Sequence, residues 1–302
     1  MKHSKGDNIN GWLIIDKPEG INSTTIVNQT RYLLNAKKNG HTGTLDPFAS
    51  GVLPIAFGEA TKLIPYVMNG DKEYEFTLQF GSTTDTLDFT GSITSTCTHI
   101  PTQQEIINII PEFIGTIAQI PPTYSAIKIN GKRAYNLARK GRDFIIPSRT
   151  IKINRLDIID FPSTTSARFL VSCSKGTYVR TLGADIAKRL NSLGHLTSLR
   201  RTKCANFNLS NTILLENLKN IEYIGERREK LFPLLTSLCD ITVIAVKEED
   251  ASKLKQGQRI SPRSYNISNL TGKDVAATLN NELVALVRVE ENRISPIRVF
   301  NL

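Results

Sequence analysis

The chain has 302 residues, 40% hydrophobic and 22% charged, a balance that excludes disorder and supports one large core plus a smaller module. No apolar run approaches the ~20 residues that span a bilayer, and residues 1–10 lack the apolar stretch of a secretory signal, so a cytosolic protein is expected. The net charge of +10 is uneven. Between Ser125 and Ala205 there are 17 Lys plus Arg against 4 Asp plus Glu, whereas the rest of the chain carries 21 against 24. Such asymmetry is expected of a face that meets phosphates, with a merely solvated basic surface as the alternative. These basic residues sit among Gly, Pro and strand-type segments rather than on a long amphipathic helix, which disfavours a membrane surface as the partner.

Taken in order, Gly11 to Ile15 is an apolar run that predicts a strand, ended by a turn at Asp16–Gly20. Ser23 is placed as the N-cap of a helix to about Leu34, with Ile26, Val27, Tyr32 and Leu33 on its apolar face. A Gly-rich loop follows. Residues 52–57 predict a buried strand and 59–67 a short helix, after which Tyr74, Phe76 and Leu78 alternate with polar residues along one face of a strand. A helix is expected between Thr102 and Ile117, broken at Pro111. A basic, Gly-punctuated insertion runs from about 121 to 149, its middle (132–140) reading as a short helix closed by Gly141. Residues 151–161 and 166–173 predict a strand pair, and Thr181 to Leu193 a helix with Leu182, Ile186 and Leu190 on one side. After Asp240 the pattern changes to short strands around Gly257 and Gly272 and at 283–289 and 297–300. The expected fold is α+β: a mixed sheet domain over residues 1–240, insertion included, and a small all-β module over 241–302.

The four cysteines and four histidines are scattered, so neither a disulfide framework nor a local metal cluster is expected, and no cofactor. One stretch concentrates chemistry. Gly40 to Ser50 reads Gly-His-Thr-Gly-Thr-Leu-Asp-Pro-Phe-Ala-Ser and presents one carboxylate, Asp46, with His41 as the other titratable group. Glycines permit close backbone approach and Pro47 biases Asp46 toward an extended or turn conformation, so a loop presents the acid. Asp-Pro by itself is an ordinary turn former.

The run His41-Thr-Gly-Thr-Leu-Asp46-Pro-Phe-Ala-Ser-Gly51-Val-Leu resembles the active-site signature of the TruB family of tRNA pseudouridine synthases. Four further segments resemble that family in the same order: Asp16-Lys-Pro-Glu-Gly-Ile-Asn-Ser23; Lys72-Glu-Tyr-Glu-Phe76 with Thr84-Asp-Thr-Leu-Asp88; Gln119-Ile-Pro-Pro-Thr-Tyr-Ser-Ala-Ile-Lys128; and Gly176-Thr-Tyr-Val-Arg-Thr-Leu182. The resemblance implies a pseudouridine synthase fold with a C-terminal PUA-like RNA-binding module. It also implies isomerisation of the T-loop uridine, position 55 of tRNA, by one essential Asp.

That reaction breaks the N1 glycosidic bond and joins C5 to the sugar without redox change. A carboxylate suits it, by attack on the anomeric carbon, by attack on ring C6, or by stabilising a cationic sugar. By resemblance Asp46 is the catalytic acid, Arg180 pairs with it, and Tyr74 stacks on the target base and is a candidate base toward a sugar proton. His41 takes the space left by flipped bases, Asp88 meets the polar edge of the base, and Tyr178 lines the pocket. The blander alternatives are a loop hydrogen bond for His41, an Asx turn for Asp88, a sheet-core ring for Tyr74 and for Tyr178, and a phosphate contact or surface cation for Arg180. Lys128, Lys132, Arg133, Arg139 and Lys140 of the insertion are expected to hold RNA phosphates, and a monomer acting on the tRNA T-stem loop without a membrane partner is expected. Two other readings stay open: an RNA-binding protein without chemistry, and a glycan hydrolase. The hydrolase needs a second acid about 5–5.5 Å from Asp46, for which Asp85 or Asp88 are candidates.

Overall fold

The computed structural model describes residues 6–125, 127–129, 131–138, 144–265 and 267–302. Strand β1 (Gly11–Lys17) is buried at every position except Asp16, because both of its faces are covered. Leu13 and Ile15 enter one core and Trp12 and Ile14 the other, which is why it reads as a continuous apolar run. Helix α1 (Ser23–Leu33) buries Ser23, Ile26, Val27 and Thr30. Tyr32 does not share that face: at six residues from Ile26 it falls on the far side of the 3.6-residue turn and is 86% exposed. Asn22, not Ser23, is the cap residue, and the Ser23 hydroxyl is used elsewhere.

Strand β2 (Asn39–His41) pairs antiparallel with the wholly buried β3 (Ser50–Phe57). The expected helix at 59–67 divides at Pro65 into a 3-10 turn and α2 (Ile64–Asn69). Strand β4 (Lys72–Phe80) leads into a hairpin of β5 (Ser82–Thr84) and β6 (Ile93–Thr96). A capping box between Thr102 and Glu105 opens α3 (Gln103–Ile109). The helix tightens at Pro111, and the tail expected to continue it is instead strand β7 (Gly115–Gln119). In the insertion, β8 (Lys128–Ile129) and β9 (Lys132–Arg133) form a small hairpin before α4 (Ala134–Ala138), so the helix starts two residues later than expected; Gly141 lies outside the described residues.

Strands β10 (Arg149–Ser163) and β11 (Ser166–Cys173) pair as expected, and α5 (Val179–Arg189) buries Leu182 and Ile186. Strand β12 (Gly194–Cys204) was not legible in the sequence. It is followed by β13 (Phe207–Asn208), β14 (Ile213–Leu214), α6 (Leu215–Asn220) and α7 (Ile224–Arg228). Among the described residues these strands make a ten-stranded sheet in the order β14-β1-β3-β12-β4-β11-β10-β7, with β2 beside β3 and β13 beside β12. Within this sheet, among the described residues, β1 with β14 and β3 with β12 run parallel and the other pairs antiparallel.

Helices α1, α3, α5 and α6 cover one face around Leu13, Phe76, Leu78 and Phe169, the rings of Phe76 and Phe169 stacking at 5.0 Å. The C-terminal sheet approaches the other face. It consists of β15 (Val243–Ala245), β16 (Asp274–Leu279), β17 (Glu282–Glu290) and β18 (Arg293–Val299), with its own apolar centre under α8 (Glu248–Lys255). The segment before Gly257 is thus this helix and not a strand. Ala276, Leu283, Leu286 and Phe300 pack with Trp12, Leu63, Val67, Phe207 and Leu234 in a shared core between the two sheets. Among the described residues no helix is long and apolar enough to cross a membrane.

Candidate active site

The loop carrying Asp46 spans the gap between β2 and β3 and is held from below by the end of β1 and the turn after it. Lys17 Nζ donates to the carbonyls of Pro18 (2.8 Å) and Pro47 (3.2 Å), and the Gly20 N–H donates to Pro47 O (2.8 Å). The Ser23 hydroxyl both donates to Leu45 O and accepts from Leu45 N–H, each at 2.9 Å. The Lys-Pro-x-Gly-x-x-Ser segment therefore acts as a saddle for the two residues that flank Asp46. Gly51 completes the seat: its φ is +102°, and a Cβ there would lie 2.2 Å from Arg201 O on the adjacent β12.

Arg180, in the first turn of α5, is 4% exposed and delivers its guanidinium to this loop. Nε lies 2.9 Å from Asp46 Oδ2, Nη1 donates to Thr86 O (2.7 Å) and lies 3.5 Å from Asp88 Oδ2, and Nη2 donates to Tyr124 O (3.0 Å). With Nη1 and Nη2 anchored on two backbone carbonyls and Asp88 beside Nη1, the guanidinium has one orientation toward Asp46. The Asp46 side chain remains 36% exposed, against 5% for Asp88, so Asp46 is the carboxylate a substrate can reach. Burial pushes the Asp46 carboxyl above the ordinary carboxylate value, with Arg180 and, more weakly, Lys17 acting in the opposite direction and Asp88 reinforcing the rise.

The expected residues assemble unevenly. Tyr74 lies on β4 directly opposite Arg201 of β12 and packs against the helix-covered core. Burial pushes its phenol up to about 12, Arg201 opposing, so the ring is protonated at neutral pH. The phenolate needed for abstracting a sugar proton is therefore disfavoured in the free protein. His41 is half-buried and its Nδ1 accepts from Gly43 N–H at 3.2 Å, the loop-orienting bond weighed against the RNA role. Burial, with Arg201 adding, lowers its pKa, so the ring is neutral with its proton on Nε2. Asp88 Oδ1 accepts from the Thr86 hydroxyl and the Thr90 N–H, an Asx-type turn, which leaves Oδ2 for Arg180. Asp85 Oδ1 accepts from Ser92 N–H in the same turn. Asp88 is thus engaged at both oxygens, whereas Asp85 is exposed. Tyr178 caps the N-terminus of α5, with Arg149 over its ring at 4.7 Å. Lys128, Lys132 and Arg133 are exposed on the β8–β9 hairpin; Arg139 and Lys140 lie outside the described residues. Among the described residues no three His, Cys, Asp or Glu side chains are grouped to hold a metal ion.

Two buried cations bonded to this loop, Lys17 and Arg201, were not singled out from the sequence. Lys17 is fully buried and burial lowers its ammonium to about 8, with Asp46 opposing. Its signal was available: period-two alternation sets it on the same face as Leu13 and Ile15, a core line ending in a lysine. Arg201, 1% exposed, donates to Val52 O (2.7 Å) and Gly43 O (3.1 Å) and thereby ties the loop to β12. Arg200 beside it makes a paired bond to Asp16 (3.0 and 2.6 Å).

Residues 31–179 match the family model described as TruB family pseudouridylate synthase, N-terminal domain. The chain is similar along its whole length to tRNA pseudouridine synthase B of Caulobacter vibrioides, at 43% identity over 100% of this chain and 99% of that protein. It is likewise similar to tRNA pseudouridine synthase B of Rhodospirillum rubrum, at 40% over 100% and 99%. Among solved structures, a chain of a Cbf5-Nop10-Gar1 complex superposes with a TM-score of 0.73 at 25% identity, over 96% of this chain and 84% of that one. One from an H/ACA RNP bound to a substrate RNA containing 2'-deoxyuridine superposes at 0.74 and 22%, over 97% and 85%. The chain belongs to the TruB family of pseudouridylate synthases.

Proposed function

We propose that this protein is a tRNA pseudouridine synthase that converts the T-loop uridine, position 55, to pseudouridine. The observation that carries the reading is the solvent-reachable Asp46 carboxylate oriented by a buried Arg180 that is anchored on two backbone carbonyls and on Asp88. In the reaction the N1–C1' bond breaks, the base turns, the C5–C1' bond forms, and the C5 proton leaves as N1 gains one. Asp46 assists the first step as nucleophile or as counter-charge, and Arg180 keeps it ionised. Extruding the uridine costs a few kcal/mol of stacking, which Tyr74 and the pocket offset. Tyr178 lines that pocket, Asp88 meets the polar edge of the base by turning Oδ2 from Arg180 as the uridine enters, and His41 Nε2–H meets the space vacated in the loop. Lys128, Lys132, Arg133, Arg139 and Lys140 hold phosphates and so position RNA without reading its sequence.

The same reading divides the chain into a catalytic part, 1–240, with its RNA-binding insertion at 121–149, and a PUA-like RNA-binding module, 241–302, acting together as a cytosolic monomer. The test is release of tritium from tRNA transcript labelled at uridine C5. Release is expected from the wild type and not from Asp46→Asn, nor from a transcript lacking the T-loop uridine. Tight tRNA binding with no release would leave an RNA-binding protein and sink the catalytic reading.

A further inference from the structure

The basic insertion leaves the sheet after Gln119 and returns to it at Arg149, and these two residues are register partners on β7 and β10. Both reach to one turn, Gly176 to Tyr178, that leads into α5. Gln119 is 1% exposed, yet its amide is fully used: Oε1 accepts from Tyr178 N–H (2.8 Å) and Nε2 donates to Tyr178 O (3.1 Å). A buried side-chain amide that closes a two-way bond on one backbone residue fixes that residue's position and direction; losing it leaves the Tyr178 N–H without its acceptor, while Tyr178 O keeps the Leu182 N–H. Arg149 donates to Gly176 O and lies over the Tyr178 ring at 4.7 Å. Two residues beyond Tyr178 comes Arg180, which is gripped again by the insertion, since Tyr124 O accepts from its Nη2 at 3.0 Å. The root of the insertion thus touches the Arg180 segment at three points, and Arg180 touches Asp46.

We propose that Gln119 and Arg149 are positioning residues that set the register of Arg180 against Asp46, so that the seating of RNA on the basic insertion is transmitted to the catalytic carboxylate through the Gly176–Tyr178 turn. This rests on the reading of Asp46 as the acid of the isomerisation. It assigns a catalytic consequence to two side chains that touch neither substrate nor reacting atoms. RNA pulling on the insertion moves Gln119 and Arg149 together, because they are paired on adjacent strands, and the turn follows as a unit.

A displaced guanidinium has a second consequence that a merely structural role lacks. The charged groups facing Asp46 are Arg180 from α5, Asp88 from the turn after β5 and Lys17 from β1. Arg180 is the largest influence holding the carboxyl down, so its retreat raises the Asp46 pKa and carries the acid limb of the rate profile to higher pH.

The experiment measures single-turnover tritium release from C5-labelled tRNA between pH 5 and 9 for wild type, Gln119→Leu, Arg149→Lys, Arg180→Lys and the Gln119→Leu/Arg180→Lys double variant. The tRNA Kd and the melting temperature of each are measured beside it. We expect the single-turnover rate to fall by at least about tenfold in Gln119→Leu, with tRNA affinity within about twofold of wild type. The acid limb moves upward, and the same substitution has little added effect once Arg180 is Lys. Arg149→Lys, which keeps the charge and removes little packing, shows the same pattern in smaller degree. Unchanged rates in both clamp variants, or losses that follow tRNA affinity or melting temperature with an unmoved acid limb, overturn the proposal. A wild type that releases no tritium overturns the functional reading instead, so the two failures are distinguishable.

Discussion

Asp46 carries a conflict between stability and chemistry. A carboxyl whose pKa is raised on folding binds its proton more tightly in the native than in the unfolded chain. Its contribution to stability is complete below the unfolded value of 3.8 and is lost as pH rises through the folded value. At neutral pH the ionised acid is therefore held at a net cost. Asp46→Asn is expected to melt no lower than wild type at pH 7, while single-turnover isomerisation falls by roughly 10³-fold or more. A melting temperature well below wild type would show that the Arg180 pair outweighs burial. Lys17 presents the mirror case. Its ammonium is lowered to about 8 from 10.5, so its contribution is complete above pH 10.5 and is lost as pH falls through 8. In urea melts, the stability of wild type relative to Lys17→Met should rise between pH 8 and 10.5, by at most about 3 kcal/mol. A difference independent of pH would mean that Lys17 keeps an ordinary pKa.

The elements that were legible are those with an unbroken period. Strand β4 alternates through Tyr74, Phe76 and Leu78, and β1 up to Ile15 and β3 from Val52 are unbroken apolar runs because the sheet is covered on both faces. Strand β12, at the centre of the sheet, was not legible for a definite reason. Its pairing with β4 shifts register between Leu196 and Ser198 and again between Arg201 and Lys203. Two register shifts in eleven residues destroy the alternation that marks a strand. Likewise, the Asp46 loop, Arg180 and the insertion were readable as motifs, whereas the burial of Lys17 and Gln119 depends on partners 30 and 59 residues away. At this scale the tightest constraint is β3 against β12 at Gly51. Gly51→Ala forces a Cβ against the Arg201 carbonyl at a φ of +102°, so the strands must part beside the acid. A loss of about 3 kcal/mol, read from the urea midpoint, is expected together with a fall in turnover. A near-neutral variant would show that the two strands separate freely there.

Across the whole molecule, the two sheets are not beads on a string. Phe300, fully buried, packs in the core shared between them, and the last residues are tied down by Lys62 Nζ donating to Val299 O (2.8 Å) and Asn301 N–H to Glu59 Oε2 (2.8 Å). Phe300→Ala should cost about 3–5 kcal/mol and should weaken the catalytic sheet along with the C-terminal one. Hydrogen exchange of β1 and β17 amides would show protection falling in both. Loss confined to β17 would mean that the C-terminal sheet opens alone. The chain's single tryptophan, Trp12, sits in that shared core with its ring tilted 5.6 Å from Phe207. Nature has therefore left a fluorophore at the joint: any lifting of the C-terminal sheet changes the emission of one indole, so the molecule reports its own disassembly without a label.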